Sequence, residues 1–350
     1  MMSKRVNIAD VAREAGVSAQ TVSRALNNKG EISAETRERV LETVERLGYR
    51  PNTLARGLVT QRTSTLGLVV PDIANPFFSE VARGAEDAAY DAGFSLLLCN
   101  TMENPSRELE ALRTLEAQRV DGIVLCSSRL SDEEFGAMLT RLPAVILVNR
   151  EATGSGLKSV CIDDEAGARY ATQHLLHSGR RAIAFLAGPP ASHSGRRRAQ
   201  GYQRALSEAG MPIDPALSMV CSPHLEGGYN AAWQLLACRP EIDAFLCYND
   251  LVAVGALQAC AALGRRVPAD IAVIGCDDIL LAGLVAPPLT TLRSDKRALG
   301  AEAIRLLLRK LAGCADGCDN IVLQPELIVR ASAPAEAHIS SDARSLAQPN

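Results

Sequence analysis

From residue 65 onward the chain repeats one pattern: a short apolar run, then a longer stretch with apolar residues at helical spacing. The runs are "TLGLVV", "FSLLLC", "GIVLC", "AVILVN", "AIAFLA", "AFLCYN" and "IAVIGC". Short, continuously apolar runs suit strands buried on both faces, and an amphipathic helix between successive runs is the crossover that parallel strands need. The alternation therefore reads as βαβ units around parallel sheets. So many strands in about 265 residues exceed one small sheet, and two Rossmann-like lobes are expected.

Each run hands over to polar residues, and ligands of open α/β sheets bind beyond the carboxyl ends of the strands. Asn75 and Phe78 follow the first run, Asn149 and Arg150 end the fourth, and Ser192, His193 and Ser194 follow the fifth, with Arg198 just beyond. Asn249 and Asp250 end "AFLCYND", while Asp277 and Asp278 end "VIGCDD". These are planar, bidentate-capable groups suited to vicinal hydroxyls, with a phenylalanine to pack a sugar face. Any one alone reads as a strand-end cap or a salt bridge. Their recurrence at strand ends points to a pocket.

The first fifty residues follow a different rule. In "NIADVAREAGVSAQTVSRALN" the residues Ile8, Val11, Ala12 and Ala15 recur at helical spacing behind a capping Asn7. Gly16 supplies a tight turn, Val17 can tuck inward, and Ser18 can cap a second helix that buries Val22, Ala25 and Leu26. A third helix runs from a Ser33 cap through Val40, Leu41, Val44 and Leu47 to Gly48. Two short helices joined by a glycine turn make a helix-turn-helix, whose second helix can enter the major groove. Its outer face offers Gln20, Thr21, Ser23 and Arg24, short hydrogen-bonders plus one arginine, which suit phosphate oxygens and base edges. An ordinary αα-hairpin with a solvated face would carry Glu/Lys pairs instead.

Charge divides along the same line. Residues 1–62 hold 11 Lys+Arg against 7 Asp+Glu, a net of +4, and the rest of the chain is net −7. A basic head on an acidic body suits a head that meets a polyanion. Aromatics are 4% of a chain that is 47% hydrophobic, so aliphatic residues and alanine must build the core. No run approaches the roughly 18 apolar residues of a membrane span. The N-terminus lacks an apolar signal core, so a cytoplasmic protein with no membrane partner is expected. Cys99, Cys126, Cys247 and Cys276 sit in or at the ends of strand-like runs and read as small buried hydrophobes. "CADGC" is a lone pair without a second pair at zinc spacing, His174 and His177 read as a solvated helix end, and no metal or other cofactor is expected.

"IADVAREAGVSAQTVSRALNN", "SAETRERVLETVERLGYRPNTLARGL" and "LGLVVPDIANPFFSEVARGAEDAA" resemble the lac repressor/galactose repressor family of bacterial transcription regulators, and the resemblance runs from about residue 6 to residue 330. It implies an all-α helix-turn-helix head, joined by a hinge helix to an α/β two-lobed body like that of periplasmic binding proteins. The expected divisions are a DNA-binding domain over residues 1–50, a hinge and linker over 51–62, an effector-binding and dimerisation body over 63–330, and a disordered tail over 331–350. The lobes should exchange strands near residues 160, 290 and 323.

Carried over position by position, the resemblance places Ala19, Gln20 and Arg24 at base edges. It places Asn7, Thr21, Ser23, Asn27, Thr36 and Asn52 at phosphates, and Ser18 and Ala55 join the DNA-contacting set. Leu58 matches a leucine that wedges between base pairs in the minor groove, on a hinge helix that forms on operator DNA. Effector contacts fall on Asn75, Phe78, Asn149, Arg198, Asn249 and Asp277, and the strand-end pattern adds Ser192. Two departures stand out. Gly57 sits where the family often has another residue, which makes a free hinge floppier. "CSPHLEGGY" has Pro223 and His224 where many members have an aromatic, so either His224 takes that role or the ligand differs from a simple hexose.

The expected protein is thus a homodimeric transcription regulator, a repressor, of palindromic operator DNA, controlled by a sugar or sugar derivative. A solute-binding protein would need a signal peptide and no DNA head. An enzyme would need a nucleophile, metal or nucleotide motif, and no GxGxxG, Walker loop, GxSxG elbow or HExxH is present.

Overall fold

The computed structural model describes residues 6–26, 32–49, 63–151, 157–314 and 320–335, and the chain divides into two compact units, Met1–Ser64 and Thr65–Asn350. The hinge expectations for Asn52, Ala55, Gly57 and Leu58 lie outside the described residues, as does Asn27.

The first unit packs three helices, α1 (Ile8–Ala15), α2 (Ala19–Leu26) and α3 (Ala34–Leu47). Asn7 opens α1 with a capping box, accepting from the Ala9 and Asp10 amides while the Asp10 carboxylate accepts from the Asn7 amide. Gly16 ends α1 at φ 63°, a left-handed turn that glycine adopts without a Cβ penalty. Val11, Ala12, Ala15, Val22, Ala25 and Val40 form the core, each large side chain stabilising by about 1.5–3 kcal/mol. Leu41 departs from expectation: it is 41% exposed, and Thr43 is buried instead. Residues 40, 43, 44 and 47 share one face of α3, and residue 41 lies about 100° from it. Thr43 meets its burial by donating its hydroxyl to the Arg39 carbonyl at 2.8 Å.

The second unit is built on two six-stranded sheets. The first has the order β11-β5-β4-β3-β1-β2, from β1 (Thr65–Val70), β2 (Ser95–Asn100), β3 (Gly122–Cys126), β4 (Ala144–Val148), β5 (Lys158–Ile162) and β11 (Ile321–Leu323). The second has the order β12-β10-β9-β8-β6-β7, from β6 (Ile183–Ala187), β7 (Ser218–Val220), β8 (Ala244–Cys247), β9 (Ala272–Asp277), β10 (Thr290–Arg293) and β12 (Glu326–Ile328). All pairings are parallel except β10 with β12. The chain crosses between sheets after β5, after β10 and after β11, as expected, so neither lobe is continuous in sequence.

Helices α4 (Pro76–Asp91), α5 (Pro105–Ala117), α6 (Asp132–Leu139) and α12 (Lys296–Leu311) belong to the first lobe. Helices α7 (Asp164–His177), α8 (His193–Glu208), α9 (Leu225–Cys238), α10 (Asp250–Ala262) and α11 (Leu280–Leu284) belong to the second. Paired helices approach backbone to backbone: a methyl group on Gly84 would lie 2.1 Å from the Arg297 carbonyl oxygen, and one on Gly300 would lie 2.0 Å from that of Val81. Cys126, Cys247 and Cys276 are buried as expected, and burial pushes each thiol above its ordinary value.

Two expectations need correction. "FSLLLC" forms β2 at a sheet edge, leaving Leu97 and Leu98 40% and 45% exposed. The tail does not loosen at residue 331, because Ser332 and Ala333 are buried. Ser332 donates its hydroxyl to the Val273 carbonyl and accepts from the Thr290 amide, while the Ala333 carbonyl lies 2.9 Å from Nε2 of His174, which is therefore not merely solvated. Residues 336–350 lie outside the described residues.

Candidate functional site

In the head, Ala19 and Gln20 are exposed at the start of α2, and Thr21, Ser23 and Arg24 are half-buried along it. Ser18 caps the helix, accepting from the Thr21 amide at 3.1 Å, and its hydroxyl lies 2.9 Å from that of Thr21. Thr36 accepts the Ser33 hydroxyl at 2.9 Å at the start of α3. The Asn7 side-chain oxygen is committed to capping, which leaves its amide hydrogens as what it can offer a phosphate. Two arginines of α3 are used inside the unit: Arg39 Nε donates to the Ala15 carbonyl at 3.2 Å, and Arg46 pairs with Glu14 at 2.8 Å.

The body holds a cavity lined from both lobes. Asn75 reaches it from the cap of α4, where its Oδ1 accepts from the Phe77 amide at 3.0 Å. Phe78 stands edge-on to Phe77, with ring centroids 5.1 Å apart. Asn149, just past β4, has φ 53°, and Asp277, ending β9, has φ 120°. Non-glycine residues in such backbone states carry strain that clusters at functional sites. Arg198 projects from α8 with its guanidinium 5.2 Å from the Tyr248 ring centroid. It donates Nε to Asp164 at 2.8 Å and Nη1 to the Tyr248 carbonyl, and Nη2 lies 3.8 Å from Asp277.

Two lining atoms are buried without a hydrogen-bond partner: Asn149 Oδ1 from the first lobe and Ser194 Oγ from the second. Leaving such a group unsatisfied costs about 1–3 kcal/mol, so the pair marks where a ligand's polar groups belong. Burial pushes the Asp277 carboxyl up to about 8, against the pull of Arg198. Behind it, burial lifts Asp250 to about 6, opposed by hydrogen bonds from the Thr291 hydroxyl and the Ile279 amide. The space left free is about 20 Å³, room for a water-sized sphere and too small for a sugar ring.

Among the expected effector residues, Asn75, Phe78, Asn149, Arg198, Asn249 and Asp277 all line this cavity. Asn249 spends its Oδ1 on the Val252 amide and one amide hydrogen on the Pro223 carbonyl, which leaves it a single donor. Ser192 is not among the lining residues, because its hydroxyl caps α8 through the Gly195 amide and lies 2.9 Å from the Tyr248 hydroxyl. Ser194, two residues on, lines the cavity in its place. Arg150 is also structural: it donates to the Leu130 carbonyl at 2.7 Å, pairs with Asp132, and stacks 4.7 Å from the Phe135 centroid. His224 lines the cavity across from Asp72, 3.8 Å away. Sequence reasoning passed over Asp72, Glu103, Ser127 and Tyr248, although Ser127 and Tyr248 also directly follow strands.

Among the described residues no group of His, Cys, Asp and Glu is arranged to hold a metal ion, and no helix is long and apolar enough to cross a membrane. The family model for the bacterial regulatory proteins of the lacI family matches residues 7–52, and that for periplasmic binding proteins and the sugar-binding domain of the LacI family matches residues 63–330. The HTH-type transcriptional regulator DegA of Bacillus subtilis is 36% identical over 332 residues, 94% of this chain and 98% of that protein. A lac repressor dimer bound to operator and the anti-inducer ONPF superposes with a TM-score of 0.84 at 29% identity, covering 95% of this chain and all of that one. A complex of the transcriptional regulator CelR with cellobiose superposes at 0.73 with 34% identity, covering 94% of this chain and all of that one.

Proposed function

We infer that this chain, which belongs to the lacI family of bacterial regulatory proteins, is a transcriptional repressor whose hold on operator DNA is set by a small molecule between the lobes of its body. The observation that carries the reading is the inter-lobe cavity, where one unsatisfied buried polar atom from each lobe waits on a shared ligand. A molecule that bonds both atoms favours one lobe arrangement over another, and only such differential affinity can shift a conformational equilibrium. The ligand is a sugar or sugar derivative held by Asn75, Phe78, Asn149, Ser194, Arg198, Asn249 and Asp277.

The protein acts in the cytoplasm as a homodimer and catalyses no reaction. Its head, residues 1–50, reads DNA with Ala19, Gln20 and Arg24 against base edges. Asn7, Thr21, Ser23, Asn27, Thr36 and Asn52 hold phosphates, Ser18 and Ala55 join the DNA-contacting set, and Leu58 wedges the central step. Gln20 suits adenine and Arg24 suits guanine. A two-fold protein reads a two-fold site, so the operator is an imperfect palindrome.

Fluorescence anisotropy with a palindromic duplex, a half-site and random DNA tests the reading, with a panel of sugars added to each. The palindrome should bind tightest, affinity should fall steeply with salt, and one sugar should change palindrome binding alone. Arg24→Ala should lose roughly 1–3 kcal/mol of discrimination at one base pair. Leu58→Ala should weaken palindrome binding and spare random DNA. Equal affinity for half-site and palindrome would overturn the proposal.

A further inference from the structure

Arg198 is the guanidinium that lines the cavity, and a guanidinium at a ligand site is the usual anchor for a phosphate or carboxylate. Here it is already engaged. Its Nε donates to Asp164 at 2.8 Å, with both side chains almost wholly buried. Asp164 does not itself line the cavity: it is the first residue of α7, set there where the chain has just crossed out of β5. The other basic lining residue, His224, faces Asp72 at 3.8 Å. Glu103 from the first lobe and Asp277 from the second also line the cavity, and Glu103 is paired with Arg129.

We propose that Asp164 is the specificity-determining residue of the cleft, which balances the Arg198 charge from outside the cavity so that neutral polyhydroxylated ligands are accepted and phosphates and carboxylates refused. The proposal rests on the reading of the cavity as the effector site. An anion entering the cleft finds the cation already matched by Asp164, and in a water-poor interior that carboxylate's charge is not screened from it. A neutral polyol meets no such barrier. Its hydroxyls can donate to Asn149 Oδ1 and accept from Arg198 Nη2, the guanidinium nitrogen left without a short contact. Asp277 is poorly suited to the balancing role, because its separation from Arg198 is 3.8 Å and burial favours its protonated form. Asp164 is placed by the start of a helix and is the closer of the two.

Isothermal titration calorimetry with inorganic phosphate at low ionic strength tests the proposal on the full chain without DNA. Four proteins are compared: wild type, Asp164→Asn, Arg198→Gln and the double variant. Wild type and Arg198→Gln should take up phosphate alike, which removes any site elsewhere from the comparison. Asp164→Asn should bind it roughly tenfold or more tightly than the double variant, because the freed guanidinium gains a charge-assisted partner. No gain in Asp164→Asn, or tighter binding by wild type than by Arg198→Gln, overturns it. If Asp164→Asn does not fold, Asp164→Ser keeps an acceptor for Nε without the charge and carries the same comparison. A purely structural ion pair would alter stability and leave phosphate binding unchanged. The outcome holds whatever the effector proves to be, so it is separable from the cleft reading, which fails on its own if Ser194→Ala leaves the effector response intact.

Discussion

Ser194 buries a hydroxyl that finds no partner, at a standing cost of about 1–3 kcal/mol in the ligand-free protein. Ser194→Ala should therefore leave the melting temperature of the free protein unchanged or slightly raised, while weakening the effector's effect on operator binding. A thermal melt paired with an effector titration checks both halves, and a lower melting temperature would mean that the hydroxyl has a partner after all. Asp277 makes a prediction of opposite character. Its folded value, about 8, lies above the ordinary 3.8, so the native state binds the proton more tightly and stability drains away as pH rises through that window. The loss should be on the order of 1 kcal/mol per pH unit at most, and Asp277→Asn should flatten it. Urea denaturation at pH 6 and pH 8 reads the difference, and equal slopes in both proteins would exclude Asp277 as the cause. At this scale the sequence was informative wherever a polar residue directly ended an apolar run. It misplaced Ser192 for Ser194 because only the exact start of α8 decides which serine caps and which faces the cleft. Asp72 and Glu103 lie in loops that no periodicity aims.

Helices of the body meet through glycines, and what a methyl group would strike decides the outcome of adding one. At Gly300 it would lie 2.0 Å from the Val81 carbonyl oxygen, so α4 and α12 would have to move apart. Gly300→Ala should cost about 1–3 kcal/mol in spite of alanine's better helix propensity. Gly136, within α6, has nothing within 4 Å of the added methyl, so Gly136→Ala should stabilise by about 0.5–1 kcal/mol. Chemical denaturation of the two variants side by side tests the contrast, and equal shifts would mean that helix propensity outweighs the close approach. Element types were legible because apolar runs and helical spacing differ in period. Position within a sheet was not: "FSLLLC" at an edge has the same composition as a central strand, and only pairing order tells them apart. Leu41 shows the same limit in a helix: it follows Val40 in sequence, yet the stripe of Val40, Val44 and Leu47 takes in Thr43 and leaves Leu41 outside.

Across the whole molecule, large apolar side chains left in solvent are surface that a second copy can cover. Tyr90 on α4 is 76% exposed, and Leu280 and Leu284 on α11 are 79% and 69% exposed. Leu284→Glu should weaken the dimer and make operator affinity depend steeply on protein concentration, which sedimentation velocity and anisotropy can follow together. Unchanged sedimentation would move the interface to another face. The crossings after β5, β10 and β11 have a further result, for how the body survives damage. The first lobe draws α12 and β11 from beyond β10 of the second, and Leu299, Ala303 and Ile304 complete the core around Leu66 and Leu68. A fragment ending at residue 163 would expose that core and aggregate. A protease nick in a surface loop between residues 164 and 293 would leave both pieces clasped through the two sheets, still sedimenting as one particle. Joined by three crossings, the two lobes are inherited, translated and lost as a single object.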